Sequence, residues 1–141
     1  MRRGFTLLEL IIVIIIIGIL ATLGLTQYAR MVERGRGAEA RQMLGNIRTL
    51  GAAHHLEYNS LTDPAFDDER AGIGTLDDEI PSDCRASHYF RYSIATAGHV
   101  LTATATRCGA GGRGGASPAA DKTLVLQTTF PAGTDVWTGG Y

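Results

Sequence analysis

The structure of the N-terminal part of the chain is determined by residues 5–25, which read FTLLELIIVIIIIGILATLGL. Apart from Glu9, this stretch carries no charged side chain. At a rise of about 1.5 Å per residue, a helix of this length covers about 30 Å, the thickness of the hydrocarbon core of a bilayer. Isoleucine and valine favour strands, but only a helix satisfies its own backbone hydrogen bonds in lipid. We therefore predict a transmembrane helix over residues 5–25.

The overall composition argues against several classes of protein. The chain has 141 residues, enough for one domain, with 19% charged residues and a net charge of −1. A general nucleic-acid binder is usually strongly basic, so we expect no specific nucleic-acid partner. Hydrophobic residues make up 45% of the chain and are concentrated at its start, which argues against an ordinary cytosolic enzyme.

The N-terminal run also differs from a secretory signal peptide. Such signals have an apolar stretch of about 7–15 residues and a small-residue cleavage site, whereas this run is longer and no A-x-A pattern closes it. The positive-inside rule alone would leave the bulk of the chain in the cytoplasm, because two arginines precede the run and four follow it. These are Arg2 and Arg3, then Arg30, Arg34, Arg36 and Arg41. The cysteines, discussed below, favour the opposite orientation.

Glu9 is the most unusual residue of the run. A carboxylate costs about 2.5–3.5 kcal/mol at the centre of a bilayer and less near its edge, so Glu9 either reaches a headgroup or pairs with a positive partner. Residues 2–10, RRGFTLLEL, followed by an apolar helix with Gly18, resemble the N-terminus of type IV prepilins and pseudopilins. The motif is highly specific and covers about the first 28 residues, whereas the rest of the chain resembles the family in layout only.

The resemblance implies how this segment is processed and used. A membrane prepilin peptidase would cut between Gly4 and Phe5 on the cytoplasmic side and methylate the new amino group of Phe5. The helix would then leave the bilayer and pack in the core of a helical filament, where Glu9 would pair with the Phe5 amino group of a neighbouring subunit. Such a desolvated pair is expected to set the register between subunits more than to add stability. Many pilins carry a proline where Thr26 stands, so the position of any bend is not predicted.

From about residue 29 to Tyr58 the pattern becomes that of an amphipathic helix. Apolar residues recur at three- and four-residue spacing, and Asn59 and Ser60 then end the helix. The stripe consists of Ala40, Met43, Leu44, Ile47, Leu50 and His54. We expect it to pack on a sheet.

Residues 59–87 are expected to form an acidic loop. The nearest match to a calcium loop begins at Asp67 and has Gly72 correctly placed, but Ala71 stands where a ligand is required, so we predict an exposed acidic surface and no metal site. A basic helix face could attract this loop on a neighbouring subunit, which is a hypothesis. That face carries Arg30, Arg34, Arg36, Arg41 and Arg48.

Residues 88–130 are expected to form an antiparallel sheet. The segments 88–95 and 99–107 alternate and are rich in aromatic and β-branched residues, and 96–98 separates them as a hairpin turn. A third strand, 123–130, follows a glycine-rich loop and stops at Pro131. The tail, 131–141, contains Trp137 and Tyr141 and either covers the sheet edge or contacts a neighbouring subunit.

The two cysteines are expected to meet at the open end of this hairpin. A turn centred between Thr96 and Ala97 pairs residues whose numbers add to about 193, and those of Cys84 and Cys108 add to 192. The disulfide would be worth about 3 kcal/mol in the chain-entropy model and would need an oxidising compartment, the periplasm or the cell exterior. Two unrelated buried thiols are the alternative.

Patterns of enzyme or cofactor chemistry are missing from the sequence. It has no P-loop, no Rossmann glycine pattern after a strand, no G-x-S-x-G and no C-x-x-C-H. A zinc site is disfavoured because there is no C-x-x-C and the adjacent His54 and His55 point to different helix faces. His88 and His99 do not fall opposite one another in the proposed register. We therefore predict no catalytic residue, no metal and no cofactor.

These features predict an α+β fold, with a long N-terminal helix, transmembrane and then amphipathic, packed on a small antiparallel sheet of three to four strands. The predicted divisions are a leader at 1–4, a membrane and filament-core helix at 5–28 and a head at 29–141. The predicted function is that of a structural subunit of a type IV pilus, for adhesion, motility or DNA uptake, without enzymatic activity. Its partners would be copies of itself, the prepilin peptidase, the inner-membrane assembly platform and, before assembly, the membrane.

Three alternatives stay open. The chain could be a pseudopilin of a type II secretion system, a minor pilin, or a membrane-anchored binding domain that never polymerises. We expect a single-pass inner-membrane protein with a cytoplasmic N-terminus, later located in the pilus at the cell surface, or in the periplasm if it is a pseudopilin.

Overall fold

The computed structural model describes residues 5–62, 64–76, 79–115 and 121–140. Within them the chain forms one helix and six strands. These are α1 (Leu7–Tyr58), β1 (Ile73–Gly74), β2 (Ile80–Pro81), β3 (Phe90–Ala97), β4 (Val100–Arg107), β5 (Thr123–Thr129) and β6 (Thr134–Gly139). Strands β3 to β6 form one antiparallel sheet in chain order, and β1 pairs with β2 in parallel. The predicted α+β fold, a long helix with a sheet of three to four strands, is confirmed.

The chain divides into two compact units, Met1–Gly35 and Arg36–Tyr141. In the first unit, residues 5–31 are all exposed, and the large apolar side chains of residues 5–25 have exposed fractions between 43% and 80%. By length and composition, α1 is the one helix of the described residues that could cross a membrane. The helix is uninterrupted at Thr26, whose hydroxyl donates to the Leu23 carbonyl at 2.9 Å.

Helix α1 ends at Tyr58, where the sequence predicted its end. The next residue, Asn59, has a φ of 53°, and its N–H donates to the His55 carbonyl at 2.8 Å. Asparagine adopts this left-handed conformation more readily than most residues, and the bond satisfies a carbonyl of the last helical turn. The left-handed backbone at Asn59 therefore ends the helix, and the chain continues into the loop.

The core of the second unit lies between one face of α1 and the inner face of the sheet. The helix buries Gly37, Ala40, Leu44, Ile47, Gly51, His54 and His55. The predicted stripe is wrong at Leu50, which is 42% exposed. Gly51 occupies the buried position instead, against the Leu101 side chain of the sheet: a Cβ on Gly51 would lie 2.8 Å from Cδ2 of Leu101 and would force that buried side chain to move.

The inner face of the sheet follows the two-residue alternation of extended strands. The central strand β4 buries Leu101, Ala103, Ala105 and Arg107, and β5 buries Leu124, Leu126 and Thr128. Two of the buried β4 residues are small alanines, and they share one core with the buried residues of α1.

The β3–β4 hairpin differs from the predicted register. Ala97 lies opposite Val100 and Phe90 opposite Arg107, so the turn consists of Gly98 and His99, two residues later than expected. Gly98 has a φ of 61°, a conformation that glycine adopts without steric cost at the first central position of a two-residue hairpin turn. The turn is set by this glycine, since neither Thr96 nor Ala97 favours a positive φ.

The tail forms a fourth strand of the sheet. Strand β6 runs along β5, with Thr134 opposite Thr129 and Gly139 opposite Leu124, so Trp137 lies on the edge strand. Tyr141 lies outside the described residues. The predicted third strand ends at Thr129, one residue earlier than expected.

The predicted acidic loop contains the parallel pair β1–β2. Arg85 supports it, because its guanidinium donates to the backbone carbonyls of Gly74, at 2.6 Å, and of Leu76. Leu61 begins the loop with a bond from its N–H to the Gly98 carbonyl at 3.0 Å. The loop is thus tied to the hairpin turn at its start.

We predict that Gly51→Val lowers the unfolding free energy of the head by about 2 kcal/mol, because the added side chain overlaps Leu101 in a filled core. Gly45→Val is the matched control, since a Cβ at Gly45 meets nothing within 4 Å and valine forms helix better than glycine. Denaturant unfolding of the full chain in detergent micelles, followed by the fluorescence of the single tryptophan, measures both. Equal stability of the two variants would contradict the close approach at Gly51.

Candidate assembly site

The N-terminus of α1 is closed by Thr6 and Glu9. The Thr6 hydroxyl accepts a hydrogen bond from the Glu9 N–H at 3.3 Å. In return, Oε2 of Glu9 accepts bonds from the Thr6 N–H at 2.9 Å and from the Thr6 hydroxyl at 2.8 Å. This is a capping box, in which Thr and Glu three residues apart satisfy backbone donors at the helix start. The T-x-x-E spacing of residues 6–9 signals this role for Glu9, which the sequence prediction missed.

The cap places the Glu9 carboxylate beside the predicted cleavage position. Phe5, directly before Thr6, is 80% exposed, and Gly4 lies outside the described residues. Both bonds to Glu9 go to Oε2, and Oε1 accepts none from the described residues. A carboxylate is also favoured here by the partial positive charge of a helix N-terminus. One carboxylate oxygen is thus held by the start of its own helix, and the other is available to a second donor.

The disulfide lies in the second unit. Cys84 and Cys108 are bonded with their Cα atoms 5.6 Å apart, and the bond closes a separation of 24 residues. The pairing was predicted from a wrong register, because Cys84 precedes β3 and is not a ladder partner of Cys108. The Cys108 N–H donates instead to the Tyr89 carbonyl at 2.9 Å, just beyond the open end of the hairpin.

Comparison with known proteins supplies the family. The family model described as the prokaryotic N-terminal methylation motif matches residues 1–25. Fimbrial protein EcpC of Eikenella corrodens is 33% identical over 138 residues, which cover 96% of this chain and 80% of EcpC. The chain belongs to the type IV pilin family.

Two further relatives match over shorter stretches. The type IV major fimbrial protein FimA of Dichelobacter nodosus is 41% identical over 49 residues, 35% of this chain and 31% of FimA. Another FimA of the same organism is 31% identical over 77 residues, 55% of this chain and 48% of FimA. The matched part of this pilin therefore spans less than half the length of either FimA.

The predicted basic face of the pilin is not a uniform surface. Nε of Arg48 donates to Oδ1 of Asp135 on β6 at 2.8 Å, and the Arg36 guanidinium lies 4.6 Å from the centre of the Tyr89 ring. Both side chains therefore join α1 to the sheet of their own head. Arg30, Arg34 and Arg41 are exposed.

A buried arginine at the open end of the hairpin was also missed by sequence reasoning. Arg107 is completely buried, and its Nη1 donates to the carbonyls of Tyr89 at 3.0 Å and Cys108 at 2.8 Å. Its guanidinium lies 5.1 Å from the centre of the Tyr89 ring. The two-residue alternation of β4 places residue 107 on the inner face of the sheet, and this pattern was the signal in the sequence for the burial of Arg107. The charge is tolerated there because hydrogen bonds and an aromatic face replace water.

In the described part of the acidic loop, the contacts of Asp67 and Ala71 do not favour calcium binding. Oδ1 of Asp67 accepts a bond from the Arg70 N–H at 3.0 Å and so closes a local turn, and Ala71 is fully buried. Across the part of the chain that the structure describes, no three His, Cys, Asp or Glu side chains are grouped to hold a metal ion.

The Arg48–Asp135 contact predicts a dependence on pH. Burial raises the pKa of Asp135. Hydrogen bonds from Arg48 and Thr128, together with the charge of Arg48, lower it by a larger amount, so the net pKa lies below the ordinary value. A lowered carboxyl pKa stabilises the fold above the pKa of the unfolded chain, and this stabilisation is lost as the pH falls through the lower folded pKa. Both side chains are about one-third exposed, so the effect is small.

We expect Asp135→Asn to lower the unfolding free energy by about 0.5–1 kcal/mol at pH 7, with the difference shrinking as the pH falls below about 4. Thermal unfolding at several pH values measures it. The exposed carboxylate Asp83 supplies the control variant Asp83→Asn, for which little change is expected. A difference that persists undiminished at pH 3 would refute the ionic contribution.

Proposed function

We propose that this pilin is a structural subunit that polymerises through α1 into a type IV pilus on the cell surface. The observation that carries the proposal is the exposed apolar helix: residues 5–25 expose their large side chains over the whole length. Apolar surface of this extent requires either lipid or other protein. The names of the relatives, fimbrial protein EcpC and major fimbrial protein FimA, support a pilus over a secretion pseudopilus. We propose no enzymatic role.

The proposed life of the chain has a membrane stage and a filament stage. The helix at 5–28 holds the subunit in the inner membrane with its N-terminus cytoplasmic and the head, 29–141, in the oxidising periplasm. The Cys84–Cys108 disulfide supports this orientation, since such bonds form and persist in oxidising compartments. The prepilin peptidase removes the leader, 1–4, and methylates Phe5, and the inner-membrane assembly platform then transfers the subunit to the filament.

In the filament, Glu9 pairs with the Phe5 amino group of a neighbouring copy. The capping box supports this assignment because it fixes the carboxylate at the helix start and leaves Oε1 to accept from the neighbour. Both partners are then removed from water, so a subunit displaced along the filament axis would leave a buried carboxylate without its cation. The pair thus selects one register among the many that an apolar helix would allow.

The composition of sheared filaments tests the proposed function. We expect surface filaments released by shearing to contain this chain as their main component, beginning at N-methylated Phe5 by mass spectrometry. Gly4→Asp provides the unprocessed control, which should remain full length in the membrane. A trace amount in filaments would mean a minor pilin, and its absence from surface filaments a periplasmic pseudopilin or a binding domain that never polymerises.

A pair of substitutions separates pairing from capping. Glu9→Gln keeps an acceptor for the Thr6 donors but removes the charge, so we expect normal processing and a filament yield lowered about tenfold or more. Thr6→Ala weakens the cap by about 1 kcal/mol and keeps the charge, so its yield should stay near that of the wild type. Equal losses in the two variants, measured by quantifying sheared filaments, would show that Glu9 acts through its own helix.

A further inference from the structure

Two histidines join α1 to the β3–β4 turn. Nε2 of His55 lies 2.8 Å from Nδ1 of His99, which belongs to the two-residue turn. His55 is only 4% exposed, and its ring stacks on Phe130 with a centroid distance of 5.3 Å, whereas His99 is exposed. The contact therefore links one buried and one accessible imidazole, close to the point where the acidic loop begins.

The geometry of this pair limits how many protons it accepts. Two facing ring nitrogens form a hydrogen bond only if one of them carries a hydrogen and the other offers a lone pair. A single added proton on the pair preserves the bond, because one facing nitrogen still offers a lone pair to the other. A second proton gives both facing nitrogens a hydrogen, and the bond is then replaced by repulsion between two cations.

The surroundings of His55 oppose the second proton. The pKa of His55 lies below its ordinary value, first because of burial and then because of the charges of His99 in the turn and His54 on α1. The third neighbour, Phe130 after β5, is uncharged. His54 faces away from the pair, with its Nδ1 3.1 Å from the Ser60 carbonyl and its ring against Phe66.

We propose that the His55–His99 contact is an acid-sensitive switch, which holds the β3–β4 turn on α1 at neutral pH and releases it when both rings are protonated. A released His55 titrates near its ordinary pKa of about 6.5, whereas the docked ring resists the proton. Docking is therefore unaffected by pH above about 6.5 and weakens progressively as the pH falls below it. The inference concerns the head alone and holds whether or not the subunit forms pili.

Backbone amides at the turn report on this release. The Phe130 N–H donates to the His99 carbonyl at 2.8 Å, and the Leu61 N–H donates to the Gly98 carbonyl at 3.0 Å. At the opposite end of the hairpin, the Arg107 N–H donates to the Lys122 carbonyl at 2.8 Å. Release of the turn exposes the first two amides and leaves the third protected, so their ratio separates local opening from unfolding of the head.

The experiment is amide hydrogen exchange by NMR on the full mature chain in detergent micelles, with protection factors corrected for intrinsic exchange. Between pH 6 and pH 5 we expect protection of Leu61 and Phe130, relative to Arg107, to fall several-fold, up to the limit of about tenfold per pH unit for uptake of one proton on opening. His55→Phe keeps a ring against Phe130 and should abolish this dependence. His88→Asn, outside the cluster, should retain it.

Either of two results would overturn the proposal. One is a ratio that stays constant from pH 7.5 to pH 5 in the wild-type chain. The other is the same acid dependence in His55→Phe. If that variant fails to fold, His99→Asn serves instead, because its amide group accepts a bond from His55 but cannot titrate. The acid-induced loss of protection at Leu61 and Phe130 should then shrink, and an unchanged loss would reject the switch.

Discussion

Burial of one narrow face of α1 on the inner face of the sheet is the contact on which the head depends. The buried face of the helix, from Gly37 to His55, consists mainly of small or branched residues, and β4 buries two alanines in the same core. Because interiors are close-packed, a side chain at Gly51 would overlap the buried side chain of Leu101. Leu50, one position earlier on the helix, lies off the buried face and is 42% exposed, although its neighbours in sequence suggest a place in the core.

Contacts of polar side chains join α1 to the sheet and the segments beside it at three places along the helix. Arg36 lies over Tyr89 at one end, Arg48 binds Asp135 on the edge strand, and His55 meets His99 at the turn. Hydrogen bonds need a donor–acceptor distance of about 3 Å and a nearly linear geometry, so the Arg48–Asp135 and His55–His99 contacts add directional constraints to the apolar packing. Both contacts involve titratable side chains, so we expect acid to weaken the head at its edge strand and, as proposed above, at its turn.

The helix of the first unit is not stabilised by packing within the described part of its own chain. Its apolar side chains are exposed, so its stability as a helix comes from backbone bonds and from whatever covers it, lipid or other subunits. The capping box of Thr6 and Glu9 closes the helix within the subunit itself. A carboxylate already ordered by its own helix loses less conformational freedom when it meets a second partner, which suits the proposed pairing with Phe5 of a neighbour.

The amino-acid sequence by itself determined the α+β fold, the helix end at Tyr58, the presence of a hairpin and the family, because these depend on local composition, periodicity and a short motif. The exchange of Leu50 for Gly51 was decided by tertiary structure, because it depends on how closely the helix and the sheet approach, a quantity that no local pattern contains. The register of the hairpin and the burial of Arg107 had local signals, Gly98 in the turn and the alternation of β4, which the sequence prediction did not use. The Cys84–Cys108 bond shows the difference: its pairing was predicted, but the loop path that brings Cys84 to the hairpin exists only in the folded chain. The contact of His55 with His99 likewise arises only where the turn meets the helix, since 44 residues separate them in the sequence.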